Sequence, residues 1–261
     1  MGKTSGMKQE IDPAEASVAF QRDGYVFFGR FLSDGVLDEV QANVDRFIRE
    51  VLPHLPREHV FYEDKGDSST LKQIQQVGEH DPYFGQWLNA GPFREVAERL
   101  LDGPVVPKNL QYFNKPPLIG QPTPAHQDGY YFMLDRCEAV TMWLALDEVD
   151  EENGCVRYTP GSHLEGMRAH GRTTTLGFSQ GIIDYPTPDD QTREVAMHAR
   201  PGDLLAHHAL TIHRADGNRS ATRTRRALGF IYYSERARQD DAAHRAYQDR
   251  LKQEMSDAHQ I

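Results

Sequence analysis

From about residue 104 to residue 234 the chain is cut into short apolar or alternating stretches by turn-forming residues, and that rhythm leaves few folds open. The stretches 104–113 (PVVPKNLQYF), 138–149 (EAVTMWLALDEV), 155–160 (CVRYTP), 193–199 (REVAMHA), 202–210 (GDLLAHHAL) and 226–234 (RALGFIYYS) are each strand-sized and rich in β-branched or aromatic residues. Asn153-Gly154 reads as a hairpin turn, and Pro160-Gly161 and Pro201-Gly202 suit type II turns. Antiparallel strands at this spacing predict a sandwich or jelly roll.

Before residue 104 the pattern is helical. Residues 33–50 place Val36, Val40, Val44 and Phe47 on one face behind Ser33 as N-cap, and residues 91–101 repeat the signature with Pro92 in the first turn. YVFF at 25–28 predicts a short buried strand. Residues 61–84 form a long polar segment of weak periodicity, expected to be a lid or binding loop. The charged stretch 236–261 is expected to be a solvated C-terminal helix. At 261 residues the whole chain 1–261 fits one domain, with residues 15–235 as its core.

Composition excludes several function classes. A net charge of −10 disfavours a nucleic-acid binder, and no apolar run is long enough to cross a bilayer. The first residues carry no apolar export segment, and Cys137 and Cys155 are too few for a disulfide framework, so a cytoplasmic location is expected.

One feature points to chemistry. In PAHQDGYYF, residues 124–132, His126 stands two residues before Asp128. Such a pair arises by chance about once in a chain like this, but on a strand residues i and i+2 share a face and could grip one metal ion. Candidates for a third ligand are His198, His207, His208 and His213. His207 and His208 sit within an apolar strand, where a histidine is more often a satisfied core residue or one that supports a ligand from behind than a ligand itself. His213 ends its stretch just before a turn, where it can reach a pocket. Two imidazoles and a carboxylate suit a non-haem Fe(II) centre with three open positions, and catalytic zinc accepts the same set. If an oxo-acid cosubstrate fills the open positions, its far carboxylate needs a guanidinium from the following strand. Arg225 shares a face with the small Ala227 and Gly229 and is favoured, with Arg226 the alternative.

The ordered set NKPP (114–117), HQD (126–128), Trp143, ENGCVRYTPGSH (152–163), PGDLLAHHALTIH (201–213), Asn218 and RRA (225–227) resembles the phytanoyl-CoA dioxygenase family of Fe(II)- and 2-oxoglutarate-dependent oxygenases. The resemblance implies a mainly β protein with flanking helices, its core a double-stranded β-helix of cupin-like jelly-roll form. It implies His126, Asp128 and His213 as iron ligands, Arg225 as the 2-oxoglutarate clamp, and Gln111 and Trp143 in the cosubstrate pocket. Halogenating relatives replace the metal-bound acid with a small residue, so Asp128 favours oxygen transfer. The implied reaction uses Fe(II), 2-oxoglutarate and O2 to hydroxylate an unactivated C–H bond, releasing succinate and CO2. Tyr130, Tyr131, Tyr62, Lys65, Lys72 and Gln73 are candidate contacts for a small, polar or anionic substrate. The rival readings are a zinc-dependent hydrolase or lyase and a non-catalytic cupin-like binding protein.

Overall fold

The computed structural model describes residues 12–173, 175 and 179–257; the remainder of the expected single domain lies outside the described residues. The strands are β1 (Tyr25–Phe28), β2 (Val60–Tyr62), β3 (Leu71–Ile74), β4 (Val105–Phe113), β5 (Thr123–His126), β6 (Ala139–Ala145), β7 (Val156–Tyr158), β8 (His170–Arg172), β9 (Gln180–Ile182), β10 (Val195–Met197), β11 (Leu204–His208), β12 (His213–Ala215) and β13 (Ala227–Ser234). They form a seven-stranded sheet in the order β1-β11-β6-β13-β4-β3-β2, a four-stranded sheet β10-β7-β12-β5, and the small pair β8-β9. All pairings are antiparallel, as the turn pattern requires.

Helices cover the outer face of the large sheet. The helices are α1 (Pro13–Asp23), α2 (Asp34–Arg46), α3 (Val77–His80), α4 (Pro82–Asn89), α5 (Pro92–Leu100), α6 (Gly129–Phe132), α7 (Pro188–Arg193) and α8 (Asp241–Asp257). Ser33 and Pro92 take the expected helix-start positions, and a π-helical turn, Phe47–Val51, extends α2. Phe20, Val40, Val44, Phe47, Phe84 and Phe93 pack on Leu110, Met142, Leu144 and Phe230 of the sheet. Phe93 stacks on Phe230 with centroids 3.8 Å apart.

Strand alternation divides the large sheet between core and site. In β13, Leu228, Phe230 and Tyr232 join the helix-facing core, while Gly229, Ile231 and Tyr233 line an internal cavity. Every residue of β6 and β13 is buried, because helices cover one face and the small sheet the other.

Three expectations are corrected. Residues 61–84 are not a free loop: β2 and β3 extend the large sheet, and α3 and α4 follow. Their helical or alternating signal is weak because all four residues of β3 are buried. Asn153-Gly154 does not close a hairpin, since β7 pairs with β10 and β12 instead; the buried Asn153 amide bonds the carbonyls of Glu148 and Thr224. The C-terminal helix is not wholly solvated, because Tyr247 of α8 is buried against the body.

Candidate active site

β5 delivers His126 and β12 delivers His213 as directly paired residues of the small sheet. Asp128 arrives differently from the expected i, i+2 strand geometry: β5 ends at His126, and Asp128 sits in the helical region (φ −57°, ψ −34°) as the N-cap of α6. The chain turns over itself there, and the carboxylate folds back beside the imidazoles. One ligand atom from each of His126, Asp128 and His213 lies within 4.8 Å of the others. His126 Nε2 is 3.5 Å and His213 Nε2 3.7 Å from Asp128 Oδ1.

Hydrogen bonds behind these atoms fix their chemistry. His126 Nδ1 is 2.8 Å from the Pro124 carbonyl and His213 Nδ1 3.0 Å from the Thr211 carbonyl. A carbonyl only accepts, so each Nδ1 carries the proton and each Nε2 lone pair faces the centre. On the other side, Asp128 Oδ2 accepts from Thr141 Oγ1 at 2.5 Å and from His207 Nε2 at 3.2 Å. The Tyr158 hydroxyl, 2.9 Å from His207 Nδ1, completes that arm. Burial alone would raise the Asp128 carboxyl, but its histidine neighbours, His213 foremost and then His126 and His207, hold it well below its ordinary range. Burial, with His126 and His207 nearby, keeps His213 well below the usual histidine range. Two neutral imidazoles and a carboxylate with aligned lone pairs fit a divalent metal.

The centre opens on a cavity of about 610 Å³ between the sheets, a size suited to a small-molecule ligand. Arg225 lies at this cavity, immediately before β13, and is 4% exposed. Its Nε donates to the Gly154 carbonyl at 3.1 Å, and its guanidinium carbon is 5.3 Å from the Trp143 ring centroid. Burial pulls its pKa down to about 10, leaving it charged at neutral pH. Arg226 faces away, paired with Asp147 at 2.8 Å and Asp45 at 3.4 Å. The geometry thus separates the two arginines.

Gln111, Trp143, Lys72 and Gln73 line the cavity, as does Tyr131. Tyr131 stands edge-on to His126 at 5.9 Å and exchanges hydrogen bonds with the Gln180 backbone. Lys72 is paired with Glu63 at 3.2 Å, both side chains about nine-tenths buried. Tyr130, Tyr62 and Lys65 are not among the lining residues. Tyr130 is turned aside by the α6 turn and stacks on His170 at 4.4 Å, and Lys65 is exposed. Tyr62, in β2, packs against the helix-side core. Two contributions went unread in the sequence, the Thr141 hydrogen bond to Asp128 and the wall supplied by His244, Tyr247 and Gln248 of α8, while His207 takes the ligand-supporting place expected of a histidine inside that strand. Thr141 had one available signal, its place two residues before Trp143 on the same strand face.

Residues 20–227 match the family model of phytanoyl-CoA dioxygenase (PhyH). Similar proteins include a phytanoyl-CoA dioxygenase of Arabidopsis thaliana, 30% identical over 62% of this chain and 60% of that one. Phytanoyl-CoA dioxygenase 1 of Oryza sativa subsp. japonica is 27% identical over 77% and 82%. Among solved structures, the non-heme alpha ketoglutarate dependent carbocyclase SnoK from nogalamycin biosynthesis superposes with a TM-score of 0.70 at 23% identity, covering 92% of this chain and 93% of that one. EctD from S. alaskensis with 2-oxoglutarate and 5-hydroxyectoine gives 0.69 at 19% identity, covering 88% and 79%. At these identities the structural likenesses establish the fold, the double-stranded β-helix.

Proposed function

The chain belongs to the phytanoyl-CoA dioxygenase family of Fe(II)- and 2-oxoglutarate-dependent oxygenases, and on that premise we propose that it hydroxylates an unactivated C–H bond of a small metabolite. The observation that carries this reading is the placement of two inward Nε2 atoms and one carboxylate oxygen at the same cavity as the buried Arg225.

In this reading His126, Asp128 and His213 hold the iron. Held there, Fe(II) would supply, with 2-oxoglutarate and O2, the oxidising power for hydroxylation coupled to release of succinate and CO2. Arg225 binds the far carboxylate of 2-oxoglutarate, a charge-assisted contact strengthened by burial. Trp143 holds the guanidinium from the side, and Gln111 shares the cavity wall beside it. Thr141 and His207 occupy Asp128 Oδ2, which leaves Oδ1 as the donor toward the metal. Tyr131 and Trp143 keep bulk water from the reacting centre.

The test is a substrate screen scored by succinate release with Fe(II), 2-oxoglutarate and O2. Under anaerobic conditions Fe(II) and 2-oxoglutarate together should give a weak visible charge-transfer band. No band in metal-replete protein would favour the zinc-dependent hydrolase or lyase, and ligand binding without succinate release would favour a binding protein.

A further inference from the structure

β4, β13 and β6 lie side by side in the large sheet, and their register sets cavity-lining residues in rows. Ile231 of β13 pairs with Thr141, and Gly229 pairs with Trp143 on one side and Gln111 on the other. Ala227 pairs in the next row along that face, and Arg225 stands two residues before it. Thr141 holds Asp128, so a molecule reaching from the metal centre to Arg225 crosses the Gly229 row, with Gln111 and Trp143 at its two flanks.

Gln111 meets that path with one end of its amide already engaged. Gln73, only 3% exposed on β3, donates its Nε2 to Gln111 Oε1 at 2.8 Å. Among the described residues nothing accepts from Gln111 Nε2, yet that group is not sealed off, because it keeps accessible surface on a residue that lines the cavity. An amide pair of this kind can exchange donor and acceptor by turning both groups over. The reverse arrangement would put the Gln73 NH2 where its Oε1 now lies buried without a partner. Orphaned buried N–H groups are rarer than orphaned carbonyl oxygens, so the arrangement with Gln73 as donor is the favoured one. β3 is itself fixed to the end of β4, by the Asn114 N–H to the Lys72 carbonyl at 2.7 Å and the Asn114 side chain to the Leu71 carbonyl at 2.9 Å.

We infer that Gln73 is a positioning residue for the cosubstrate: it holds the Gln111 carbonyl against β3 and so turns the Gln111 NH2 toward a carboxylate of 2-oxoglutarate. The inference rests on the dioxygenase reading and adds to it a residue that acts through its neighbour, with no contact to the cosubstrate of its own. A carboxylate only accepts, so the amide end that faces it has to be the donor. A glutamine free to turn over would present its carbonyl for part of the time and repel the same anion. Locking the amide in advance removes that competing orientation and the entropy cost of ordering it on binding.

The experiment is anaerobic titration of 2-oxoglutarate into the Fe(II)-loaded protein, read by the charge-transfer band and by calorimetry. Gln111→Leu should weaken binding about tenfold or more, and Gln73→Met, which fills the same buried space without a donor, about threefold or more. The double variant should bind no more weakly than Gln111→Leu alone, because the effect of Gln73 passes through Gln111. A role in packing alone would instead multiply the two losses. Fe(II) affinity, titrated first, should be the same in all of these proteins. Gln73→Leu repeats the test with a second side chain, so that a folding failure of one variant does not decide it. Wild-type affinity for 2-oxoglutarate in a folded Gln73 variant, or multiplied losses in the double variant, would overturn the inference. Absence of 2-oxoglutarate binding by the wild-type protein would count against the dioxygenase reading instead.

Discussion

His207 Nε2 lies 3.2 Å from Asp128 Oδ2, so a histidine of the large sheet holds the carboxylate that faces two histidines of the small one. Partners of this kind orient metal ligands, and their loss costs about 10- to 100-fold in metal affinity or activity. His207→Phe should therefore weaken Fe(II) binding by that order in anaerobic calorimetry. Unchanged affinity would mean that Thr141 alone positions the carboxylate.

Asp128→Ala removes the anionic donor and leaves two imidazoles. The variant should lose succinate formation, and metal should no longer raise its Tm, since stabilisation by a ligand follows from binding to the folded state. A fully active Asp128→Ala protein would sink the ligand assignment.

Arg225 and Arg226 are adjacent, yet the structure gives them different neighbours. Arg225→Gln should raise KM for 2-oxoglutarate at least about thirtyfold, the effect of truncating one member of a buried charge pair. Arg226→Gln should leave that KM unchanged and lower stability by about 1–3 kcal/mol through loss of the Asp147 contacts. Steady-state kinetics and chemical denaturation on both variants separate the two roles.

Acid should destabilise the fold through His208. Burial, reinforced by His163 and His207, pushes its pKa down to about 4, and its Nδ1 accepts from the Leu210 N–H at 3.1 Å, which requires the neutral ring. The unfolded chain binds this proton near the ordinary histidine pKa of about 6.5, before the folded one does, so stability falls as pH drops from there toward 4. The loss is at most about 3 kcal/mol for this group. Burial of His213 acts in the same direction. Thermal melts should show a smaller drop in Tm between pH 7 and pH 4.5 for His208→Asn, which keeps an acceptor for Leu210. An equal drop in both proteins would rule out His208 as the source.

Much of the architecture was readable because it depends on local rules. The proline-glycine turns and the alternation in residues 226–234 carry the jelly roll, and Gly161 and Gly202 adopt positive φ (76° and 86°) as their turns require. His126 and His213 were readable through strand ends and motif order. Asp128 was placed near them for an incomplete reason: the turn into α6, rather than strand alternation, brings its carboxylate to the centre. Lys72 and Gln73 looked like loop residues because burial on both faces of β3 removes the alternation that marks a strand. His207 and Thr141 act through Asp128 over sequence separations of 79 and 13 residues, so strand position marks them as inward-facing without showing which carboxylate they hold.

The wall that α8 adds to the cavity has a consequence for biosynthesis. Tyr247 bonds Ser179 at 2.6 Å and packs edge-on to Tyr131, 6.4 Å away, so α8 rests on residues that surround the metal centre. His213, the last of the three ligands in chain order, leaves the ribosome before any residue of α8, and so does Arg225. A nascent chain thus presents all three ligands and Arg225 ahead of α8, which supplies one wall of the chamber and none of these residues.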